Sequence, residues 1–249
     1  MVHGCYQGSV AASGVLAGSL QLHRTIGSFD RVDLFAAISG FVRATHIRAG
    51  FPADRITVKP NFAWPSRRRR GPGEYFLFLG RLVPEKGVAT LLRAWARIDT
   101  ELVIAGDGPD APQLRAQAPS NVRFLGPVES ARVVDLLTRA RAVVVPSVWY
   151  EAAGKVVLEA YAAGVPVLAS RIGALPEFVE HGTTGLLLSP SEPAAWEEGV
   201  GILSDDALSE RMGRAGVDRW DERHGPASAL VHLETLYRTA LQRVGGTAE

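Results

Sequence analysis

At 249 residues, with 47% hydrophobic and 21% charged residues, the chain has apolar material for one large or two small domains and is not a disordered polymer. Its formal charge of +1 gives no general attraction to nucleic acid or to an acidic membrane surface. The single cysteine, Cys5, excludes an intrachain disulfide and points to a reducing, cytoplasmic setting.

The opening "MVHGCYQGSVAASGVLAGSL" lacks a basic start and an unbroken apolar core, which argues against a signal peptide. No apolar run approaches the roughly 20 residues that span a bilayer. "GSLQLHRTIGSF" predicts a helix, "VDLFAAIS" a strand, "GFVRATHIRAG" a helix and "RITVKP" a strand. Residues 1–65 therefore read as part of an α/β unit with too few strands for a sheet of its own. "NFAWPSRRRRGPG" follows, and residues 66–73 read as a linker. Its run Arg67–Arg70 is expected to be a solvated face, with a phosphate-binding patch as the weaker reading.

From Tyr75 the pattern alternates. The runs "YFLFLG", "TELVIAG", "NVRFLG", "RAVVVPS", "PVLAS" and "TGLLLSP" are short and continuously apolar, as doubly buried strands should be. Between the first five lie the helical patterns "GVATLLRAWARI", "APQLRAQA", "SARVVDLLTRA" and "KVVLEAYAAG". Strands alternating with helices predict a parallel, Rossmann-like sheet covered on both faces. That unit is placed at 74–225, with "AAWEEGVGILS" and "DALSERMGRAGVDRW" as closing helices. Residues 226–249 are expected to be a last helix returning toward the N-terminal domain.

In an open parallel sheet, ligands bind beyond the carboxyl ends of the strands. Two loops there stand out. "GRLVPEKG" carries Arg81 and Lys86, two cations suited to an anion; alone, they would read as ordinary surface charges. "PSVWYEAAGK" places Glu151 before a helix beginning near Lys155, whose amides attract phosphate. Glu159 should lie about 6 Å further along that helix axis. The bland reading makes Glu159 an ordinary helix residue. Against it, a carboxylate within "VVLEAYAAG" would be costly to bury without a task. A ligand of the form sugar–diphosphate–nucleoside fits, with one glutamate at either flank.

These segments resemble the E-x7-E region of the retaining glycosyltransferases of family 4, the group 1 glycosyltransferases. "FLGRLVPEKGVATLLRAW", "LVIAGDGP", "VRFLGPV", "PSVWYEAAGKVVLEAYAAGVPVLAS" and "EHGTTGLLL" match in order, and "AISGFVRATHIRAGFPADRITVKPNF" resembles the end of the family's N-terminal domain. The resemblance implies an α/β fold of the GT-B type, complete at the C-terminus and truncated at the N-terminus. It implies that Arg81 and Lys86, with Gly80, hold the diphosphate and that backbone from Leu125 to Val128 contacts the nucleobase. Glu159 would hold the ribose and Glu151 the donor sugar. Amides around Ala152, Gly154, Lys155 and Val156 would support phosphates and sugar. Catalysis falls to Glu151, Arg81 and Lys86. No Asp-x-Asp occurs, and no metal or other cofactor is expected. The implied partners are a UDP- or GDP-hexose donor and a saccharide or lipid-linked acceptor, with no nucleic acid and with peripheral contact at the inner membrane face left open.

Some features depart from the family pattern. Ala152 and Ala153 stand where Gly or Thr and then Phe are common, and "IGALPE" has Ala174 after a single Gly173. His3, His23 and His46 match no family histidine. Whole enzymes of this type are longer, so the chain is expected to bind donor and transfer sugar poorly, as a fragment, a product of a misplaced start or a degenerate copy. Two rival functions are a non-catalytic donor-binding subunit that needs a separate N-terminal half, and an NAD(P)-binding oxidoreductase. The second rests on the G-x-G-x-x-A of Gly106–Ala111, with Glu129 downstream, and is weakened by Pro109 and Pro112. A P-loop is excluded because Val156, not Ser or Thr, follows Gly154-Lys155. Trp95 reads as core, Trp149 and Tyr150 as flanking the cleft, and His181 and His224 as surface residues.

Overall fold

The computed structural model describes Tyr6 and residues 8–245; His3, Cys5 and residues 246–249 lie outside them. Helix α1 (Val10–Thr25) starts eight residues before the expected helix, because Ser9 caps it: its Oγ accepts the Ala12 amide at 3.2 Å. No residue of α1 is buried. A 3-10 turn, Ser28–Arg31, replaces the end of the expected helix. Strand β1 (Phe35–Ala37), helix α2 (Gly40–Arg48) and strand β2 (Ile56–Val58) follow, with β1 and β2 paired in parallel as a two-stranded sheet.

Residues 59–74 carry no regular structure, yet they are pinned, which corrects the expected solvated arginine face. Arg68 Nη1 donates to the carbonyls of Tyr161 (3.2 Å) and Ala162 (2.8 Å), and its guanidinium sits 5.2 Å from the Trp220 ring. Arg69 donates to Pro72 O (3.0 Å), Arg141 O (2.8 Å) and Ser209 Oγ (3.0 Å), and burial lowers its guanidinium to about 10. Arg67 pairs with Asp135. A guanidinium has five donors, so a stretch without secondary structure can borrow carbonyls from several elements at once.

The six apolar runs become β3 (Tyr75–Leu79), β4 (Leu102–Ala105), β5 (Val122–Gly126), β6 (Ala140–Val145), β7 (Val167–Ser170) and β8 (Gly185–Leu188). The helices interleaved with them are α3 (Val88–Trp95), α4 (Ala111–Gln117), α5 (Ser130–Arg139), α6 (Lys155–Ala162) and the short α7 (Leu175–Phe178). Helices α8 (Pro193–Leu203), α9 (Asp206–Arg223) and α10 (Pro226–Gly245) close the chain. Every pairing is parallel, in the order β5-β4-β3-β6-β7-β8. Chain direction across the sheet reverses between β3 and β6, the place where open sheets of this kind hold ligands.

Alternation along β3 divides the core. Tyr75 and Leu77 enter the layer holding Leu158, Tyr161 and Trp220; Phe76 and Phe78 enter the layer holding Trp95, Ile104 and Trp196. Each such buried side chain contributes about 1.5–3 kcal/mol relative to exposure. His224 is not at the surface: it is 7% exposed and packs on Phe178, with ring centres 5.6 Å apart. The Ala63 amide donates to its carbonyl (3.1 Å), and burial lowers its imidazole to about 4. At the end of α10, Arg243 Nη1 lies 3.3 Å from Asp54 Oδ2, just before β2. Among the described residues, no helix is long and apolar enough to cross a membrane.

Candidate functional site

A cleft of about 540 Å³ opens at the carboxyl ends of β3 and β6. One wall is the turn after β3. Gly87 has φ +69°, and a Cβ there would lie 1.9 Å from the Pro146 carbonyl oxygen. A glycine is therefore needed for this turn to close against the β6–α6 loop. The Val148 amide then donates to Glu85 O (3.0 Å) and joins the two loops.

That closure brings Lys86 Nζ to 2.5 Å from Glu151 Oε1, with side chains 34% and 17% exposed. Ser147 Oγ donates to the same carboxylate oxygen at 2.5 Å and is itself fully buried. Arg81 lines the cleft with no hydrogen bond or ion pair to another described residue, an unneutralised cation at a strand end.

The opposite wall is the start of α6. Gly154, the residue before the helix, offers no side-chain cap, so the first amides have no side-chain acceptor among the described residues. Gly154, Lys155, Val156 and Glu159 all line the cleft, while Val157, Leu158 and Ala160 point into the core. Glu159 is 34% exposed and lies 3.6 Å from Lys155 Nζ. As the cost of burying an idle carboxylate suggested, 3.6-residue periodicity turns it toward the cleft, where it stays partly solvated.

Arg81, Lys86, Glu151 and Glu159 therefore share one cavity with Gly80, Val128, Gly154, Lys155 and Val156. Two expected residues do not line it. Leu125 packs against the core, and Ala152 turns away, its carbonyl accepting Ser39 Oγ at 2.7 Å. Trp149 and Tyr150 are exposed and form no part of the wall; Tyr150 instead meets Phe41, with ring centres 5.4 Å apart. Sequence reasoning missed Ser147 and Asp107, both in the cleft. The small polar residue four positions before Glu151 was the available signal for Ser147. Helix α4 carries Pro112 in its first turn, removing an amide that a dinucleotide pyrophosphate would need. Among the described residues, no group of three or more His, Cys, Asp and Glu side chains is placed to hold a metal ion.

A six-stranded parallel sheet covered on both faces, with its cleft at the β3/β6 reversal, has a fold of the GT-B type, as comparison with known proteins shows. Residues 73–206, more than half of the chain, match the model of the family "Glycosyl transferases group 1", and the chain belongs to that family. Glycogen synthase of Mycobacterium tuberculosis is 38% identical over 194 residues, covering 72% of this chain and 44% of that protein. D-inositol 3-phosphate glycosyltransferase of Pseudarthrobacter chlorophenolicus is 34% identical over 210 residues, covering 77% and 50%. The chain thus spans about half the length of these curated relatives, or less. Among solved structures, HepE of Anabaena in complex with UDP and glucose superposes with a TM-score of 0.75 at 22% identity, over 84% of this chain and 63% of that one. Sucrose-phosphate synthase of Thermosynechococcus elongatus gives 0.74 at 24% identity, over 83% and 58%.

Proposed function

We propose that the cleft binds a nucleotide-diphosphate sugar and that the chain supplies the donor side of a retaining, metal-independent hexosyltransferase. The observation that carries this reading is the placement of unpaired Arg81 and of Lys86 opposite the uncapped start of α6. Two cations and a set of free amides converge where a diphosphate would lie. Each hydrogen bond to a charged group contributes about 1.5–3 kcal/mol, enough in sum to anchor the donor.

Breaking the anomeric bond leaves positive charge on the sugar and additional negative charge on the diphosphate. Arg81, Lys86 and the α6 amides stabilise that leaving group without reorganising, the largest contribution expected in such a site. Glu151 keeps Lys86 aimed into the cleft and accepts bonds from donor-sugar hydroxyls. Glu159 accepts from the ribose, and backbone near Val128 meets the base. Residues 1–65 form the acceptor side, joined by 66–73 to the donor unit at 74–225, and the last helix returns to the first unit. The acceptor is a saccharide or lipid-linked saccharide; the latter would bring the protein to the inner membrane face.

A non-catalytic donor-binding role is the second reading. It is favoured by the two-strand sheet on the acceptor side among the described residues, and it predicts donor binding with slow transfer. Calorimetric titration with UDP, GDP, UDP-glucose, GDP-mannose and NAD tests the donor assignment. Binding of a nucleotide sugar but not NAD is expected; the reverse would overturn it.

A further inference from the structure

The motif "IGALPE" has no part in the donor contacts above, yet its glutamate reaches across the molecule. Both oxygens of Glu177 cap the start of α2: Oε2 accepts the Gly40 amide at 2.7 Å, and Oε1 accepts the Phe41 amide. A carboxylate at a helix N-terminus satisfies free donors and complements the helix dipole. The neighbouring Ser39, 2% exposed, donates its Oγ to Ala152 O at 2.7 Å while accepting the Val42 amide. Phe41 lies against Tyr150. From the other side, the Ala174 amide donates to Glu151 O (2.8 Å). Gly173, at φ +60°, lets the chain approach so closely that a Cβ there would be 2.6 Å from the Glu151 amide nitrogen. The backbone of residues 150–152 is thus gripped between the start of α2 and the 173–177 turn, and Glu177 joins those two jaws.

We infer that Glu177 and Ser39 are positioning residues: they lock the start of α2 onto the loop bearing Glu151, and so set the carboxylate that the donor reading assigns to the sugar. This rests on that reading only for the sugar contact; the lock itself is a property of the free protein. The consequence is selective. Loosening the loop weakens recognition of the sugar moiety more than that of the diphosphate, which Arg81 and the α6 amides hold independently of Glu151. The lock also makes the first α/β unit a sensor of the donor loop, since moving α2 must move Ala152.

The test uses the full chain with Glu177→Ala, Glu177→Gln and Ser39→Ala. Asp205→Ala serves as a control, because it removes a comparable helix cap, on α9, far from the loop in sequence. Hydrogen exchange of the free proteins is read first. The Val148 and Ala174 amides, which donate to Glu85 O and Glu151 O on either side of the loop, should exchange about tenfold faster in Glu177→Ala and Ser39→Ala. Glu177→Gln, which keeps one acceptor, should fall between these and wild type, and Asp205→Ala should match wild type there. Unchanged exchange at Val148 and Ala174, or equal acceleration in Asp205→Ala, overturns the lock. Titration with UDP and UDP-glucose, and with GDP and GDP-mannose, is read second. In the pair that wild type binds, the affinity gained from the sugar should fall about tenfold in Glu177→Ala while the diphosphate affinity stays within about twofold. An equal fall for both ligands overturns the positioning role. If wild type binds neither pair, the donor reading fails while the exchange result still decides the lock.

Discussion

Lys86 Nζ and Glu151 Oε1 lie 2.5 Å apart although 65 positions separate them in the chain, and Ser147 donates to the same oxygen. One cation of the cleft is therefore already held by protein, while Arg81 has no such partner among the described residues. The two should respond differently to substitution.

Replacing Lys86 removes the partner of a mostly buried carboxylate and, on the proposed donor reading, a diphosphate contact. Lys86→Ala is expected to lower the unfolding free energy by about 1–2 kcal/mol and to weaken UDP or GDP binding tenfold or more. A double-mutant cycle with Glu151→Ala should show coupling of at least about 0.5 kcal/mol in urea unfolding. Additive losses would show that the pair carries no energy.

Arg81→Ala, by contrast, should leave stability within about 0.5 kcal/mol, since Arg81 has no partner among the described residues to strand. It should weaken nucleotide-diphosphate affinity about tenfold, with a smaller loss at high salt, where exposed charges are screened. Calorimetry at two ionic strengths measures both effects.

Arg69 should behave as a structural pin. Arg69→Ala removes the hydrogen bonds it donates to the Pro72, Arg141 and Ser209 carbonyls and is expected to cost about 2–3 kcal/mol in chemical unfolding. Arg70→Ala, at an exposed position in the same run, should cost less than about 0.5 kcal/mol. Equal effects would restore the picture of a loose linker.

His224 gives the fold a pH dependence with a definite sign. Its imidazole titrates near 4 when folded, against 6.5 ordinarily, because burial opposes the charged form. Between these values the unfolded chain binds the proton and the folded chain does not. The contribution of His224 is therefore fully present above pH 6.5 and is lost as pH falls toward 4, at no more than about 1.4 kcal/mol per pH unit. Urea midpoints at pH 7, 5.5 and 4.5 should fall in wild type and fall less in His224→Phe.

The sheet was legible because each of its strands is a short apolar run closed by a turn residue, and doubly buried strands leave no other pattern. Its order was not, since no local signal says that β6 lies beside β3. The cleft residues were found through that same topology: cations after one strand and a helix start after another. What escaped depends on contacts between distant residues. The Lys86–Glu151 pair, the turning of Ala152 toward Ser39 and the capping of α2 by Glu177 each join segments more than 60 positions apart. Arg68 and Arg69 were misjudged for the same reason: charge runs are usually solvated, and only the fold supplies the carbonyls that pin these two. The early start of α1 was a local miss, a serine cap hidden in a small-residue stretch.

The most direct measurement is calorimetric titration of nucleotide sugars into wild type and Glu159→Ala at a fixed salt concentration. Wild type is expected to bind UDP-glucose or GDP-mannose but not NAD, and Glu159→Ala to lose at least about tenfold in affinity for both the sugar nucleotide and its diphosphate. Wild-type affinity retained in Glu159→Ala, or no binding of either sugar nucleotide by the wild-type protein, would contradict the donor reading.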